Sequence, residues 1–472
     1  MLKLDENARR ELWQRLIEAI EQYHKSVATM KVAPTLNVEE LRALLAPFDF
    51  NRPLGPGEAL DFAVEGLTKY QVHTPHPRYF GLFNPAPTTM GIAADALVAA
   101  FNPQLAAWSH SPWAVEIERH LINAFAARFG YEPEQTDGTF CSGGAEANQT
   151  ALLTALTHHF PQFEKRGLRA LPAQPVLYIS AQSHHSFFKA ARFCGLGTDA
   201  VREVATDGQF RMDVEQLAAQ IKEDRANGSA PFMAVGTAGT TSGGVIDELA
   251  KMAQLADDEK LWFHVDAAWG GAAVLVPELR EAVGGIERAD SITFDAHKWL
   301  SIPMAAGMYL TRHIDILSRA CRITTDYMPR DAAGMGITDP YTHSIQWSRR
   351  FIGLKLFLSL AVAGWKGYEE TLRHQAAMGN LLRRQLKDND WEIINQTPLP
   401  TVCFTDRTRP EGRSSTYLES IARTVVALGK AWLSTTRLNP EAPVLRACLT
   451  NYDTQPDDVA ALVSALNEAR NC

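Results

Sequence analysis

Ser291-Ile292-Thr293-Phe294-Asp295-Ala296-His297-Lys298-Trp299-Leu300 is the stretch whose reading decides the fold. Its apolar, β-branched start over Ser291 to Phe294 predicts a short buried strand, and the pattern breaks at His297 and Lys298. A lysine just past a buried strand is held in an apolar wall, where desolvation favours the neutral amine that condenses with an aldehyde. Most lysines at strand ends are merely solvated, so the residue needs a partner to carry meaning. One stands upstream in Trp262-Phe263-His264-Val265-Asp266-Ala267-Ala268-Trp269-Gly270-Gly271. Here a carboxylate ends an apolar run and small residues follow, letting a flat ring approach the backbone. Asp266 precedes Lys298 by 32 positions.

An acid facing a ring nitrogen and a lysine facing an aldehyde are the pair that pyridoxal 5'-phosphate (PLP) requires. His-Val-Asp-Ala-Ala-Trp at 264–269 and Asp-Ala-His-Lys-Trp-Leu at 295–300 resemble the group II PLP-dependent amino-acid decarboxylases, relatives of aromatic-L-amino-acid, glutamate and cysteine-sulfinate decarboxylases. The resemblance runs from about His76 through Trp365, with its motifs in order. It implies an α/β, fold type I enzyme: a large domain with a mainly parallel seven-stranded sheet between helices, a small C-terminal α/β domain and an N-terminal helical segment. The expected division is 1–75 for the dimer-packing helical segment, 76–365 for the PLP-binding domain and 366–472 for the small domain. It also implies that Lys298 attaches PLP, that Asp266 keeps the pyridine nitrogen protonated above Ala268, and that His297 flanks the lysine.

Composition agrees with small-molecule chemistry. A formal charge of -8 and a pI near 6.0 leave no basic excess for nucleic acid. The six cysteines are scattered without a Cys-x-x-Cys pair, so neither a zinc site nor a disulfide framework is expected, and a reducing cytoplasm is the default. The start of the chain lacks the apolar core of a signal peptide, and the apolar stretch from Phe351 to Trp365 is interrupted by Lys355 and too short to span a membrane.

In chain order, Glu6 to Met30 reads as an amphipathic helix, which in the resembled family packs on the partner subunit of a homodimer whose active site lies at the interface. His76 to Pro85 is aromatic and proline-bearing and cannot be helical throughout. Family resemblance makes Phe83 and Asn84 substrate neighbours there, and Trp108 is either a pocket wall or core. Cys141-Ser142-Gly143-Gly144-Ala145 precedes a strong helix former, and glycines at a helix start let backbone N–H groups converge on an anion. The family assigns Gly143, Gly144 and Ala145 to the cofactor phosphate.

A strand at Val176 to Ser180 ends at His184 and His185. Ligands bind at the C-terminal ends of strands in such sheets, and the family's ring-stacking histidine matches His184. After the strand Phe232 to Gly236, Thr241 approaches the cofactor and Asp247 shapes the site by the same resemblance. Strands alternating with helices here predict a largely parallel sheet. Asp295 departs from relatives with asparagine or serine, and a carboxylate beside a phosphate would be repulsive. The glycine-bearing loop from Thr325 to Gly336 lacks periodicity. In the family its tyrosine returns a proton to the substrate carbon, which matches Tyr327, with Tyr341 as rival. Ser344 to Phe351 resembles a motif that reaches the other subunit's phosphate, through Ser348.

The implied activity is decarboxylation of an L-amino acid to an amine and carbon dioxide. An aromatic substrate is favoured, by stacking on Phe83 and Trp108. Arg78 keeps an acidic or small polar substrate open. An aldehyde synthase, in which the loop tyrosine is typically phenylalanine, and a silent binding paralogue are the other readings.

Overall fold

Two pentapeptides in which every residue is buried, Trp262–Asp266 and Ser291–Asp295, lie side by side as parallel strands. Strands covered on both faces need helices above and below, which is the architecture of parallel sheets. The computed structural model describes residues 2–323 and 337–471, so Tyr327 lies outside the described residues. The large sheet contains β1 (Asp137–Cys141), β2 (Pro175–Ser180), β3 (Val201–Val204), β4 (Ala230–Thr237), β5 (Trp262–Asp266), β6 (Ser291–Asp295) and β7 (Gly307–Thr311). Their spatial order is β1-β7-β6-β5-β4-β2-β3. β7 is antiparallel to both its neighbours, and the other pairings are parallel. This is the mainly parallel seven-stranded sheet expected.

Packing follows the two-sided burial. On one face Phe125 and Phe129, from the helix Pro112–Phe129, meet Phe294 at centroid distances of 5.2 and 5.6 Å. That helix stops at Gly130, whose φ of 88° suits glycine. On the other face Leu152 and Leu156, from the helix Gly144–His159, share a core with Phe187, Ile179 and Trp262.

The helix that begins at Gly353 continues to Asp388, through a break at Gly364 where φ is 64° and ψ 173°. Its residues up to Ala376 pack into the large core, and Met378, Leu382 and Leu386 into a second one. That second core lies on an antiparallel sheet of order β10-β11-β9-β8, made of β8 (Trp391–Ile393), β9 (Thr401–Asp406), β10 (Ser434–Arg437) and β11 (Pro443–Cys448). Phe80 also belongs to it: its N–H donates to the Trp432 carbonyl and its carbonyl accepts from Cys448. The N-terminal segment is helical over Glu6–Ser26, Val38–Leu45 and Pro56–Lys69. Among the described residues no helix is long and apolar enough to cross a membrane.

Candidate active site

β1, β4, β5 and β6 end at one rim of the sheet, and a cavity of about 320 Å³ opens there. Asp266 is the last residue of β5, paired with Thr237 and Thr293 on its two sides. Three residues beyond β6, Lys298 donates its N–H to the Asp295 carbonyl in a turn, which presents the lysine to the same cavity. Amine and acid therefore face one space, with Ala268 on its wall. Gly143, Gly144 and Ala145 line it at the start of the helix Gly144–His159, and His184, Thr241 and His297 complete the set that the sequence singles out.

The wall around Lys298 is not apolar, contrary to expectation. Its Nζ lies 3.1 Å from Asp295 Oδ2. Asp295, 1 % exposed, also accepts the Gly144 N–H at 3.0 Å on that oxygen, and its Oδ1 has no partner. The carboxylate that seemed misplaced thus sits in the site. His297 Nδ1 accepts the Ala306 N–H at 3.0 Å, which leaves a proton on Nε2 facing Asp295 at 3.8 Å. Burial pulls the His297 pKa below its ordinary value, against the opposing pull of Asp295. His184 is shifted the same way, by desolvation first, with Asp266 opposing and Lys298 assisting. Both imidazoles are therefore neutral near pH 7.

Asn148 is the residue that sequence reasoning missed. It lies one helical turn beyond Gly144 and lines the cavity, where its Nδ2 donates to Asp266 Oδ2 at 2.9 Å. The signal was available: an amide four positions from the glycine, on the same face of a helix whose buried positions are otherwise Ala, Leu and Thr. Gln346 also reaches the rim, donating to Glu146 Oε1 at 2.6 Å.

Other candidates fall elsewhere. Phe83, 6 % exposed, is sandwiched between Trp269, stacked at 4.4 Å, and the Arg446 guanidinium at 4.9 Å, so neither ring face is free. Asn84, partly buried beside it, is not on the cavity wall. Trp108 donates its indole N–H to Glu116 and packs against the large core. Ser348 is exposed and accepts from Gln104 at 3.5 Å. Asp247 is buried behind the wall, where it accepts the N–H groups of Met212 and Thr237.

The donor set fits PLP. A Cβ added at Gly144 would meet Asp295 Oδ2 at 2.9 Å and Ala268 Cβ at 3.2 Å, so the floor admits only bare backbone. A helix N-terminus for a phosphate, an amine for an aldehyde and a carboxylate for a ring nitrogen converge on one space.

Such a site on such a sheet defines a fold type I PLP-dependent enzyme. Residues 45–407 match the pyridoxal-dependent decarboxylase conserved domain. The chain is 31 % identical to the aromatic-L-amino-acid decarboxylase of Bacillus atrophaeus, over 98 % of its own length and 95 % of the relative's. It is 32 % identical to the cysteine sulfinic acid decarboxylase of Mus musculus, over 80 % and 76 %. The crystal structure of mouse CSAD superposes with a TM-score of 0.92 at 28 % identity, covering 99 % of each chain. Oryza sativa TDC with PLP and tryptamine shares the fold, with a TM-score of 0.93 at 23 % identity over 100 % and 99 %. The chain belongs to the group II pyridoxal-dependent decarboxylase family and is a PLP-dependent amino-acid decarboxylase.

Proposed function

We propose that the chain decarboxylates an L-amino acid with an acidic or small polar side chain, and that it does so as a homodimer. The observation that carries the substrate class is the sandwich at Phe83. An aromatic substrate needs a free ring face to stack on, and here both faces are covered, one of them by a guanidinium. Arg446 is 3 % exposed, donates from Nε to the carbonyl of the cavity residue Thr241 at 2.9 Å and from Nη1 to Gly81 at 3.0 Å, and leaves Nη2 without a partner. A buried N–H of that kind is a ready ligand for a carboxylate. The likeness to mouse cysteine sulfinic acid decarboxylase supports the same class. Nearly full-length similarity to an aromatic-L-amino-acid decarboxylase favours the second reading, an aromatic substrate.

PLP, when bound, supplies the sink for the electron pair left as the Cα–carboxylate bond breaks. Lys298 is the residue that would hold it. Asp266 would face its ring nitrogen, and His184, Gly143, Gly144, Ala145 and Thr241 line the space it would fill. Carbon dioxide leaves and a proton takes its place on Cα. Tyr327, outside the described residues, is the proposed donor.

For the dimer, the supporting observation is the apolar surface. Trp13 and Ile17 on the first helix are 53 % and 60 % exposed, and Phe101 is 82 % exposed. Such surface marks an association site, and the family resemblance assigns the exposed Ser348 to a neighbouring subunit's phosphate site.

The test is carbon dioxide release across glutamate, aspartate, cysteine sulfinate and diaminobutyrate against dihydroxyphenylalanine, tyrosine and tryptophan. Higher kcat/KM for the first group is expected, and higher kcat/KM for an aromatic acid would overturn the substrate class.

A further inference from the structure

Behind Asp266 runs a chain of buried hydrogen bonds whose direction is determined at both ends. Trp262 Nε1 can only donate, and it donates to Ser291 Oγ at 2.9 Å. The Asp266 carboxylate can only accept, and it takes the Asn148 Nδ2 proton at 2.9 Å on Oδ2 and the Ala268 N–H at 3.1 Å on Oδ1. That orients the Asn148 amide, whose Oδ1 then accepts from Thr293 Oγ1 at 2.7 Å and from His264 Nε2 at 3.2 Å. With its proton on Nε2, His264 must accept on Nδ1, where Ser291 Oγ stands at 2.8 Å. Each of Trp262, Ser291, His264, Thr293 and Asn148 is at most 1 % exposed, so water does not interrupt the sequence.

We infer that Asn148 and His264 are positioning residues for the decarboxylation, a one-way relay that orients the Asp266 carboxylate and fixes which of its lone pairs face the cavity. Two donors on the amide oxygen polarise the N–H that Asn148 offers to Asp266, and such chains strengthen cooperatively. Burial lowers the His264 pKa to about 4, so the imidazole stays neutral and no second charge enters the network. Asn148 also donates to Ser186 at 2.9 Å, at the start of the helix that follows His184, tying acid and ring-covering histidine to one amide.

The inference rests on the reading of Asp266 as the acid opposite the ring nitrogen, and the test separates the two. The visible absorbance of the holoenzyme's bound cofactor is titrated with pH in Asp266→Asn, Asn148→Leu, His264→Phe and Ser291→Ala, with PLP affinity measured alongside by fluorescence. Losing a hydrogen bond strengthens the carboxylate's hold on the proton it shares with the ring nitrogen, which leaves less positive charge on the ring and lets the cofactor's linkage to Lys298 keep its own proton to higher pH. The midpoint should therefore rise by about one pH unit or more in Asn148→Leu, by less in His264→Phe and least in Ser291→Ala. If Asp266→Asn moves the midpoint and neither Asn148→Leu nor His264→Phe does, the relay is overturned while Asp266 keeps its role. If Asp266→Asn itself leaves the midpoint unmoved, the reading of Asp266 fails. Should Asn148→Leu not fold, His264→Phe decides by the same titration, and lowered melting temperature with an unmoved midpoint counts against the relay.

Discussion

Lys298 Nζ stands 3.1 Å from Asp295 Oδ2, and the same oxygen accepts the Gly144 N–H at the helix start. One carboxylate thus holds both the Lys298 amine and an N–H at the start of the helix Gly144–His159. Asp295→Asn keeps an acceptor for Gly144 and removes a negative charge from beside the proposed phosphate cradle. The variant apoenzyme is expected to bind PLP about tenfold more tightly, a modest share of the repulsion between close charges. Fluorescence titration measures it, and pyridoxal, which lacks the phosphate, should show no gain.

Lys298→Ala should lose the visible absorbance of the covalently held cofactor and slow carbon dioxide release by on the order of 10²–10⁴-fold, the range for losing a catalytic proton-transfer group. An unchanged spectrum would remove Lys298 from its role.

Arg446→Met preserves much of the packing on Phe83 and deletes the partnerless N–H. A charged hydrogen bond to substrate contributes about 1.5–3 kcal/mol, so kcat/KM on the preferred acidic amino acid should fall roughly 10–100-fold. Steady-state kinetics on wild type and variant check this.

Acidification should destabilise the fold. His264 and His76 are each lowered to about 4 by burial, and both are at most 2 % exposed. Between pH 6.5 and 4 the unfolded chain protonates these rings and the folded one does not, so their contribution is complete above 6.5 and lost on the way down. Each contributes on the order of 3 kcal/mol. Asp247, raised to about 6 by burial, works in the opposite direction from pH 6 downward. The urea midpoint should therefore fall from pH 7 to 4.5, and His76→Gln should fall less.

A Trp13→Glu, Ile17→Glu double variant places charge on the exposed apolar face of the first helix. Sedimentation should show a dimer for the wild type and a monomer for the variant, with the variant's specific activity at least about tenfold lower at equal concentration, as mass action on the proposed obligate dimer implies.

Much of the large domain was legible because its strands are short and buried on both faces: β5 and β6 read as apolar runs, and the amine and acid at their ends announce themselves by residue type. β3, with the burial pattern of an ordinary amphipathic piece, and the three-residue β8 carried too little pattern to be seen. In the site, glycines and histidines were visible as breaks in periodicity, whereas Asn148 hid inside a good helix. What packs on Phe83 was not legible for a physical reason: an aromatic residue in a loop announces a flat face and says nothing of what already covers it. Trp269 and Arg446 do so from positions 186 and 363 residues further on.

The reversed strand has a kinetic corollary. β7 is wedged between β6 and β1, two strands more than 145 residues apart in the sequence, and it begins with Gly307 against Asp295 and Cys141. The glycine cradle follows β1 and the lysine follows β6, so the two meet only after β7 has docked between them. Long-range closures of this kind come late and slowly in assembly. On refolding, helicity should return before colour does, and the appearance of colour should time the insertion of that last strand.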